Sequence, residues 1–318
     1  MRSEPEDFRV EEQLSFEPSG AGEHLLVLVR KRGLNTADVS RWLANALSVR
    51  RRDVTHAGLK DRHAVTDQWF GIHLPGREIT LPEPPDGIRV LKTVRHRRKL
   101  RTGALRGNRF VIRLRELQGS SSALARRLFT VARFGVPNWF GEQRFGREGG
   151  NLEHAERLFA GERVRDRHVR GLYLSAARSL LFNQVLAARV TEDSWQSALP
   201  GDLMTFSGSR SVFVADAGTS ADPRLARMDL HPTGPLHGID GLEPGGVAAE
   251  LEQTVLARYA QLAEGLEVFR MRADRRALRL PVSALAWHWP ASDSVELAFS
   301  LPPGSYATAV VRELAETG

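Results

Sequence analysis

The sequence predicts a chain of mixed helix and strand in which the two ends contribute to one sheet and the middle forms a separate, mainly helical lobe. Three observations lead there. Up to about residue 115 the chain is dominated by short runs of continuous or alternating apolar residues, the mark of strands. Residues 136 to about 280 hold several helical stretches and few convincing strands. After about Leu280 strand character returns. A strand-rich front and end around a helical middle is the pattern of an insertion into a sheet-based domain. With 318 residues and 42% hydrophobic content, the chain suffices for one large or two ordinary domains.

In order, Phe8-Arg9-Val10 alternates and Leu25-Leu26-Val27-Leu28-Val29 is continuously apolar, so both read as strands, with turn-rich Glu17-Pro18-Ser19-Gly20-Ala21-Gly22 between them. Arg30-Lys31-Arg32-Gly33 closes the second run. Asn35 or Thr36 caps a helix to about Ser48, with Asp38 in its first turn and Val39, Trp42, Leu43, Ala46 and Leu47 as its apolar stripe. Strands are expected over 54–59, 65–74, 88–95 and 109–114. Leu81-Pro82-Glu83-Pro84-Pro85-Asp86-Gly87 is a surface connection. Ser120-Ser121-Ser122 caps a helix over 123–134, which Gly135-Val136-Pro137 stops. The clearest helices of the middle are 152–159, 175–190 and 247–266, interrupted by a short strand near 212–215. Strands near 285–287 and 295–301 and a helix over about 305–316 end the chain.

No segment approaches eighteen consecutive apolar residues, so no membrane span is expected. The acidic start, Met1-Arg2-Ser3-Glu4-Pro5-Glu6-Asp7, lacks the apolar core of a secretory signal. There is no cysteine, which removes disulfides, iron–sulfur clusters and cysteine-based zinc sites. The simplest expectation is a cytoplasmic monomer with no membrane partner.

The net charge is +7, from 45 Lys and Arg against 38 Asp and Glu. Its distribution says more than its total. Between Arg89 and Arg115 there are eleven Lys and Arg and no acid, so the remainder of the chain is net acidic. A one-sign block containing Arg95, Arg97, Arg98, Lys99 and Arg101 is the electrostatic footprint of a phosphate-backbone contact. A solvated face is the bland alternative.

Among possible chemistries, metal hydrolysis finds no His-Glu-x-x-His and no His/Asp cluster at ligand spacing. His231 and His237, around Pro232 and Gly234-Pro235, read as a loop. Gly-x-Ser-x-Gly is absent, and no glycine-rich phosphate cradle opens a helix, so neither a metal nor a nucleotide cofactor is expected. Catalysis would fall to ordinary side chains. The stretch that draws attention is Ala57-Gly58-Leu59-Lys60-Asp61-Arg62-His63-Ala64-Val65-Thr66-Asp67-Gln68-Trp69, an acid between two bases just after a glycine. A loop Asp usually caps a turn; the functional alternative is a nucleophilic Asp61. Four further stretches combine glycine, aromatic and polar residues: 5–8, 105–110, 138–146 and 301–308. Each alone reads as a turn with an aromatic anchor. Phe8, Phe110 and Tyr306 equally offer flat faces for stacking an unpaired base. Asn108, carrying both donor and acceptor atoms, suits the edge of a uracil.

Taken together and in order, these stretches resemble the TruD family of tRNA pseudouridine synthases, the enzymes that modify uridine 13. The resemblance runs through Pro5-Glu6-Asp7-Phe8, Gly22-Glu23-His24-Leu25, Lys31-Arg32-Gly33-Leu34-Asn35-Thr36 and the Ala57–Thr66 signature. It continues through Gly107-Asn108-Arg109-Phe110, residues 136–146, Ser175-Ala176-Ala177-Arg178-Ser179, Phe182-Asn183-Gln184 and Gly304-Ser305-Tyr306-Ala307-Thr308. It implies an α+β pseudouridine synthase catalytic domain with a curved, mixed, mainly antiparallel sheet, over 1–134 and 281–318. Residues 135–280 would form an inserted, mainly helical TRUD domain. It implies tRNA as partner, no cofactor, and isomerisation of a flipped-out uridine 13 in the D arm, with Asp61 as nucleophile. Phe8, Asn108 and Tyr306 match substrate-contact positions, and Phe110 stands where related synthases keep a tyrosine. The chain departs from the family at Arg2, where a lysine is usual after a longer lead; at Tyr306, where relatives can have Phe; and over about 205–227, which matches poorly. Because neighbours in an extended chain point to opposite faces, Lys60 and Arg62 are expected on tRNA phosphate rather than on Asp61, with Arg312 a weaker candidate for its charge partner. The alternative on the same fold is a non-catalytic RNA-binding or RNA-chaperone protein.

Overall fold

In the computed structural model, residues 4–77 and 80–315 are described. The expectations at Arg2 and at residue 316 lie outside them. The chain forms two compact units, and each crosses the sequence more than once. Of the described residues, one holds 4–121 with Ser283–Gly304; the other holds Ser122–Val282 with residues 305–315. The sequence expectation placed its cuts at 134/135 and 280/281.

The first unit is built on a mixed sheet. Its strands are β1 (Phe8–Leu14), β2 (His24–Arg32), β3 (Val54–His56), β4 (Val65–His73), β5 (Ile88–His96) and β6 (Leu105–Leu114), with β13 (Ser283–Ala291) and β14 (Ser294–Leu301) from the far end of the chain. The order is β13-β14-β6-β1-β4-β2-β5, with β3 paired to β4. Among the described residues only β1 and β4 pair in parallel, so the sheet is mixed and mainly antiparallel. The C-terminal strands complete the sheet that the N-terminal strands begin, through a seven-residue register from Val295↔Leu114 to Leu301↔Asn108. One helix, α1 (Thr36–Ala46), lies in this unit. Its Val39 and Leu43 join Leu25, Val27, Val29, Phe70 and Ile72 in one core cluster. The alternation of β2 and β4 thus selects the face that the helix covers. The edge strand β5 carries exposed Arg89 and Lys92, charges that discourage edge-to-edge pairing.

The second unit holds α2 (Ser121–Phe134), whose first residue belongs to the other unit, then β7 (Val136–Pro137), α3 (Gly150–Phe159) and α4 (Arg167–Thr191). It continues with β8 (Leu203–Phe206), β9 (Val212–Val214), α5 (Pro223–Ala226), β10 (Leu230–Leu236), α6 (Gly246–Ala257), α7 (Ala260–Val268), β11 (Asp274–Ala277), β12 (Arg279–Leu280) and α8 (Ala307–Leu314). Its largest apolar cluster joins α3, α4 and α7 through Leu158, Leu174, Leu181, Leu262 and Leu266. Two buried ion pairs, Arg189–Asp202 at 2.9 Å and Arg275–Glu252 at 2.5 Å, tie its sheet to its helices.

Several elements differ from the sequence expectation. The strand expected over 54–59 stops at His56, leaving Asp61 in the loop before β4. The helix expected over 247–266 is two helices, because Tyr259 leaves helical backbone (φ −125°) and turns its ring into the α3–α7 cluster. Leu230–Leu236, read as a loop for its two prolines and glycine, is a buried strand, central in a four-stranded sheet β11-β10-β8-β9. Prolines lack the donor a central strand needs. Gly234 is nonetheless required where it stands, because a side chain there would strike Leu278 and Phe182.

Gly107 in β6 is fixed by a similar close approach: a Cβ would land on the Leu301 carbonyl oxygen, well inside van der Waals contact. Gly107→Ala must therefore push β14 off β6 locally. The expected loss is about 1–3 kcal/mol, read as a lowered urea midpoint with unchanged slope; an unchanged midpoint would show that the contact is slack.

Candidate active site

One sheet face gathers the residues of interest in the first unit. In the registers of β1 with β6 and β4, Glu12 lies opposite Asn108, Val10 opposite both Phe110 and Thr66, and Phe8 opposite Ile112. Lys31 on β2 lies opposite Thr66. Paired residues in adjacent strands present their side chains to the same face, so Glu12, Asn108, Phe110, Phe8, Thr66 and Lys31 share one. It is the face that α1 covers farther along β2, where Leu25, Val27 and Val29 continue the alternation that ends in Lys31.

The Asp61 loop is laid onto this face by buried polar groups. The Gln68 side chain, fully buried on β4, donates from Nε2 to the Gly58 carbonyl at 2.8 Å. Thr36 at the start of α1 donates from Oγ1 to Gln68 Oε1 (3.0 Å) and accepts the Lys60 amide (3.0 Å). Gly103 N donates to the Ala57 carbonyl at 2.9 Å, which ties the loop to the turn between β5 and β6 within the basic segment. Lys31 is 0% exposed, and its Nζ donates to the main-chain carbonyls of Asp61 (2.7 Å) and Leu34 (2.9 Å). Asp61 is half-buried, and its Oδ1 accepts the His63 amide at 3.0 Å, an Asx-type turn that points the carboxylate by a local constraint. A loop held at this many points has its carboxylate placed before any ligand arrives, which is what a reacting group needs.

Charge follows the same design. Lys31 has the Asp61 carboxylate as its strongest favourable charge, while the neighbouring Lys60 opposes it. Glu12, fully buried, has Oε2 accepting the Trp69 amide at 2.8 Å, and its Oε1 lies 3.2 Å from Lys60 Nζ, an ion pair rather than an aligned hydrogen bond. Burial pushes the Glu12 carboxyl up, and the Lys60 charge, the Trp69 amide and Lys31 only partly offset it.

Lys60 requires a correction. The sequence put it on tRNA phosphate beside Arg62. Its ammonium is instead turned inward, its side chain 10% exposed, onto Glu12 and onto Asn108 Oδ1 at 2.5 Å. The alternation argument failed because the loop is not extended: Lys60 and Asp61 lie past the end of β3. Arg62 does face outward, with Nε on the Gly33 carbonyl at 3.1 Å. Arg95 is also spent locally, donating to the Leu74 carbonyl (2.7 Å) and to the Arg77 carbonyl. Arg97, Arg98, Lys99 and Arg101 are exposed.

Phe8 and Phe110 are each 6% exposed and meet edge-to-face at 6.0 Å; Phe110 also stacks on Phe299 at 5.6 Å. They form an aromatic floor beside Asn108 rather than free-standing planes. Tyr306 belongs to the second unit, at the start of α8, where its ring packs on Phe140 (6.5 Å) and beside Gly141. There the 138–146 stretch is stapled to α4: Asn183 exchanges two hydrogen bonds with the Phe140 main chain (2.9 and 3.0 Å), and Arg144 donates to Ser175 at 3.1 Å. Arg276 lies over the Phe140 ring at 4.2 Å and donates to Asn138 Oδ1 at 2.6 Å. Arg312, the earlier candidate for a partner to Asp61, lies over Trp139 at 5.7 Å in this second unit. The group missed in the sequence is Lys31, buried near the end of β2 on the face of Leu25, Val27 and Val29. Among the described residues no group of three or more His, Cys, Asp or Glu is placed to hold a metal ion, and no helix is long and apolar enough to cross a membrane.

The chain matches known proteins of one family. The family model described as tRNA pseudouridine synthase D (TruD) matches residues 1–162 and 162–314. A tRNA pseudouridine synthase D of Pseudomonas syringae pv. tomato is 49% identical over 320 residues, covering 99% of this chain and 91% of that protein. One from Xanthomonas euvesicatoria is 46% identical over 336 residues, with the same coverage. A crystal structure of a putative tRNA pseudouridine synthase D from Methanosarcina mazei superposes with a TM-score of 0.77 at 24% identity, over all of this chain and 93% of that one, and so shares its fold.

The burial of Lys31 is directly testable. Desolvation lowers its pKa from an ordinary 10.5 to about 8, with the Asp61 carboxylate opposing the shift. The folded pKa lies below the unfolded one, so between about pH 8 and 10.5 the unfolded chain binds more protons. Stability from this group therefore rises with pH across that window, and below it the cost of burying the charge is constant. In urea unfolding, the wild-type chain should gain on Lys31→Met by roughly 1 kcal/mol per pH unit there. A difference that stays flat from pH 8 to 10.5 would refute the assignment.

Proposed function

Because the chain belongs to the TruD family of tRNA pseudouridine synthases, we propose that it converts uridine 13 in the D arm of tRNA to pseudouridine, with Asp61 as the nucleophile. The observation that carries this reading is the Asp61 loop itself: a half-buried carboxylate on a segment pinned by Lys31, Gln68 and Thr36, next to a buried cation. An opposite charge close by favours the ionised, nucleophilic form of a carboxylate.

The chemistry is an isomerisation in which nothing is consumed. The N1–C1′ bond of the uridine breaks, the uracil turns, and C5 bonds to C1′; the C5 proton is lost and N1 regains one. Asp61 assists by adding to C6 of the base or to C1′ of the sugar, and both routes start from the same carboxylate. The target must leave its stack, at roughly a few kcal/mol. Phosphate contacts at exposed Arg97, Arg98, Lys99, Arg101 and Arg62 would offset this. Asn108 would contact the flipped base edge, with Phe8 and Phe110 as an apolar wall. The cytoplasm, where tRNA matures, is the place of action that goes with this substrate.

The test uses unmodified tRNA and carbodiimide-blocked primer extension. The wild-type chain should produce a stop reporting pseudouridine at position 13. Asp61→Asn should lose on the order of a thousandfold or more in rate while keeping tRNA affinity, since the basic surface is untouched. Modification elsewhere in the tRNA would displace the proposed target, and an active Asp61→Asn would remove Asp61 from its role. Binding without product from the wild-type chain would favour the RNA-chaperone alternative.

A further inference from the structure

The orientation of one side-chain amide carries information about the substrate edge it faces. Asn108 Oδ1 lies 2.5 Å from the Lys60 ammonium. An ammonium has three donors and no acceptor, so the amide oxygen must be the atom turned toward it. Lys60 cannot swing away freely, because its Nζ also pairs with Glu12 Oε1 at 3.2 Å, its side chain is 10% exposed, and its own amide is held by Thr36 Oγ1. Glu12 is fixed in turn by the Trp69 amide and by its register opposite Asn108. The consequence falls on the other end of the amide. Asn108 Nδ2 donates to no group among the described residues, and the residue is half-buried.

We propose that Lys60, backed by Glu12, is a positioning residue that locks the Asn108 amide with its NH2 group toward the substrate. The site then offers the target base two donors and no acceptor at this point, so it takes a carbonyl oxygen of the uracil ring and not its N3–H. This rests on the reading of Asn108 as a substrate contact. It converts a residue able to donate or accept into one that only donates. A base presenting an amino group there meets donor against donor, and an unpaired buried donor is the costly case. The buried Glu12–Lys60 pair, of doubtful net value to stability, acquires a use in specificity.

A double-mutant cycle on kcat/KM with unmodified tRNA decides it. Asn108→Ala should lower kcat/KM about tenfold. Lys60→Met should lower it comparably, and the double variant should lose nothing further. Should Lys60→Met leave Glu12 unpaired and the chain unfolded, Glu12→Gln/Lys60→Met removes both charges and serves in its place. A substrate with 2-thiouridine or 4-thiouridine at the target gives an independent reading, since sulfur is a poor acceptor. One of the two should be a several-fold worse substrate than uridine for the wild-type chain and not for the Lys60 variant. Losses that multiply in the cycle, or two thio-substrates that behave like uridine, would overturn the lock while leaving Asn108 as a contact. An Asn108→Ala variant with unchanged kcat/KM would overturn the contact and the lock together.

Discussion

The Asp61 end of the first unit depends on burying two lysines where the sheet meets a loop. An isolated ammonium out of water is strongly disfavoured, so each needs an anion or a set of acceptors. Lys60 has Glu12 and the Asn108 oxygen; Lys31 has two main-chain carbonyls and the nearby charge of Asp61. Four formal charges, two of each sign, therefore close on themselves. Lys31 also binds the Asp61 main chain, so the cation that favours the ionised carboxylate fixes its position as well.

The sheet's one parallel pairing is what makes this closure possible. β1 runs antiparallel to β6 and parallel to β4, and β2 lies beyond β4. Glu12 and Asn108 thus come from one side of the sheet and Lys31 from the other, with Thr66 and Gln68 on β4 between them. The loop entering β4 crosses over this row and drops Lys60 and Asp61 onto it. Four strands distant in sequence supply one patch of a few side chains, and the C-terminal β14 extends its aromatic part through Phe299.

Much of this was legible beforehand, because strands and the amphipathic α1 leave periodic traces. Lys31 shares the face of Leu25, Val27 and Val29, but the run before it is apolar on both faces, so the period alone does not separate it from Arg30. Lys60 was misplaced by an alternation carried past His56 into a loop whose path depends on tertiary hydrogen bonds from Gln68 and Thr36. The β10 strand was missed because proline and glycine argue against a central strand locally, while the packing of Phe182 and Leu278 around Gly234 is a long-range fact that composition does not carry.

The basic segment shows the difference between charge in a sequence and charge at a surface. Eleven Lys and Arg lie between Arg89 and Arg115, but Arg109, Arg113 and Arg115 are paired with Glu11, Glu296 and Asp7, and Arg95 is tied to main-chain carbonyls. Arg109 and Arg113 lie on β6, where Glu11 of β1 and Glu296 of β14 meet them across the strands, and Arg115 follows directly after β6. Arg89, Lys92 and Arg106 are exposed on the strands, and Arg97, Arg98, Lys99 and Arg101 are exposed in the turn between β5 and β6. That turn is hydrogen-bonded to the Asp61 loop through Gly103 and Ala57. The sheet thus neutralises part of the positive charge it contains and leaves four exposed cations in the turn tied to the Asp61 loop.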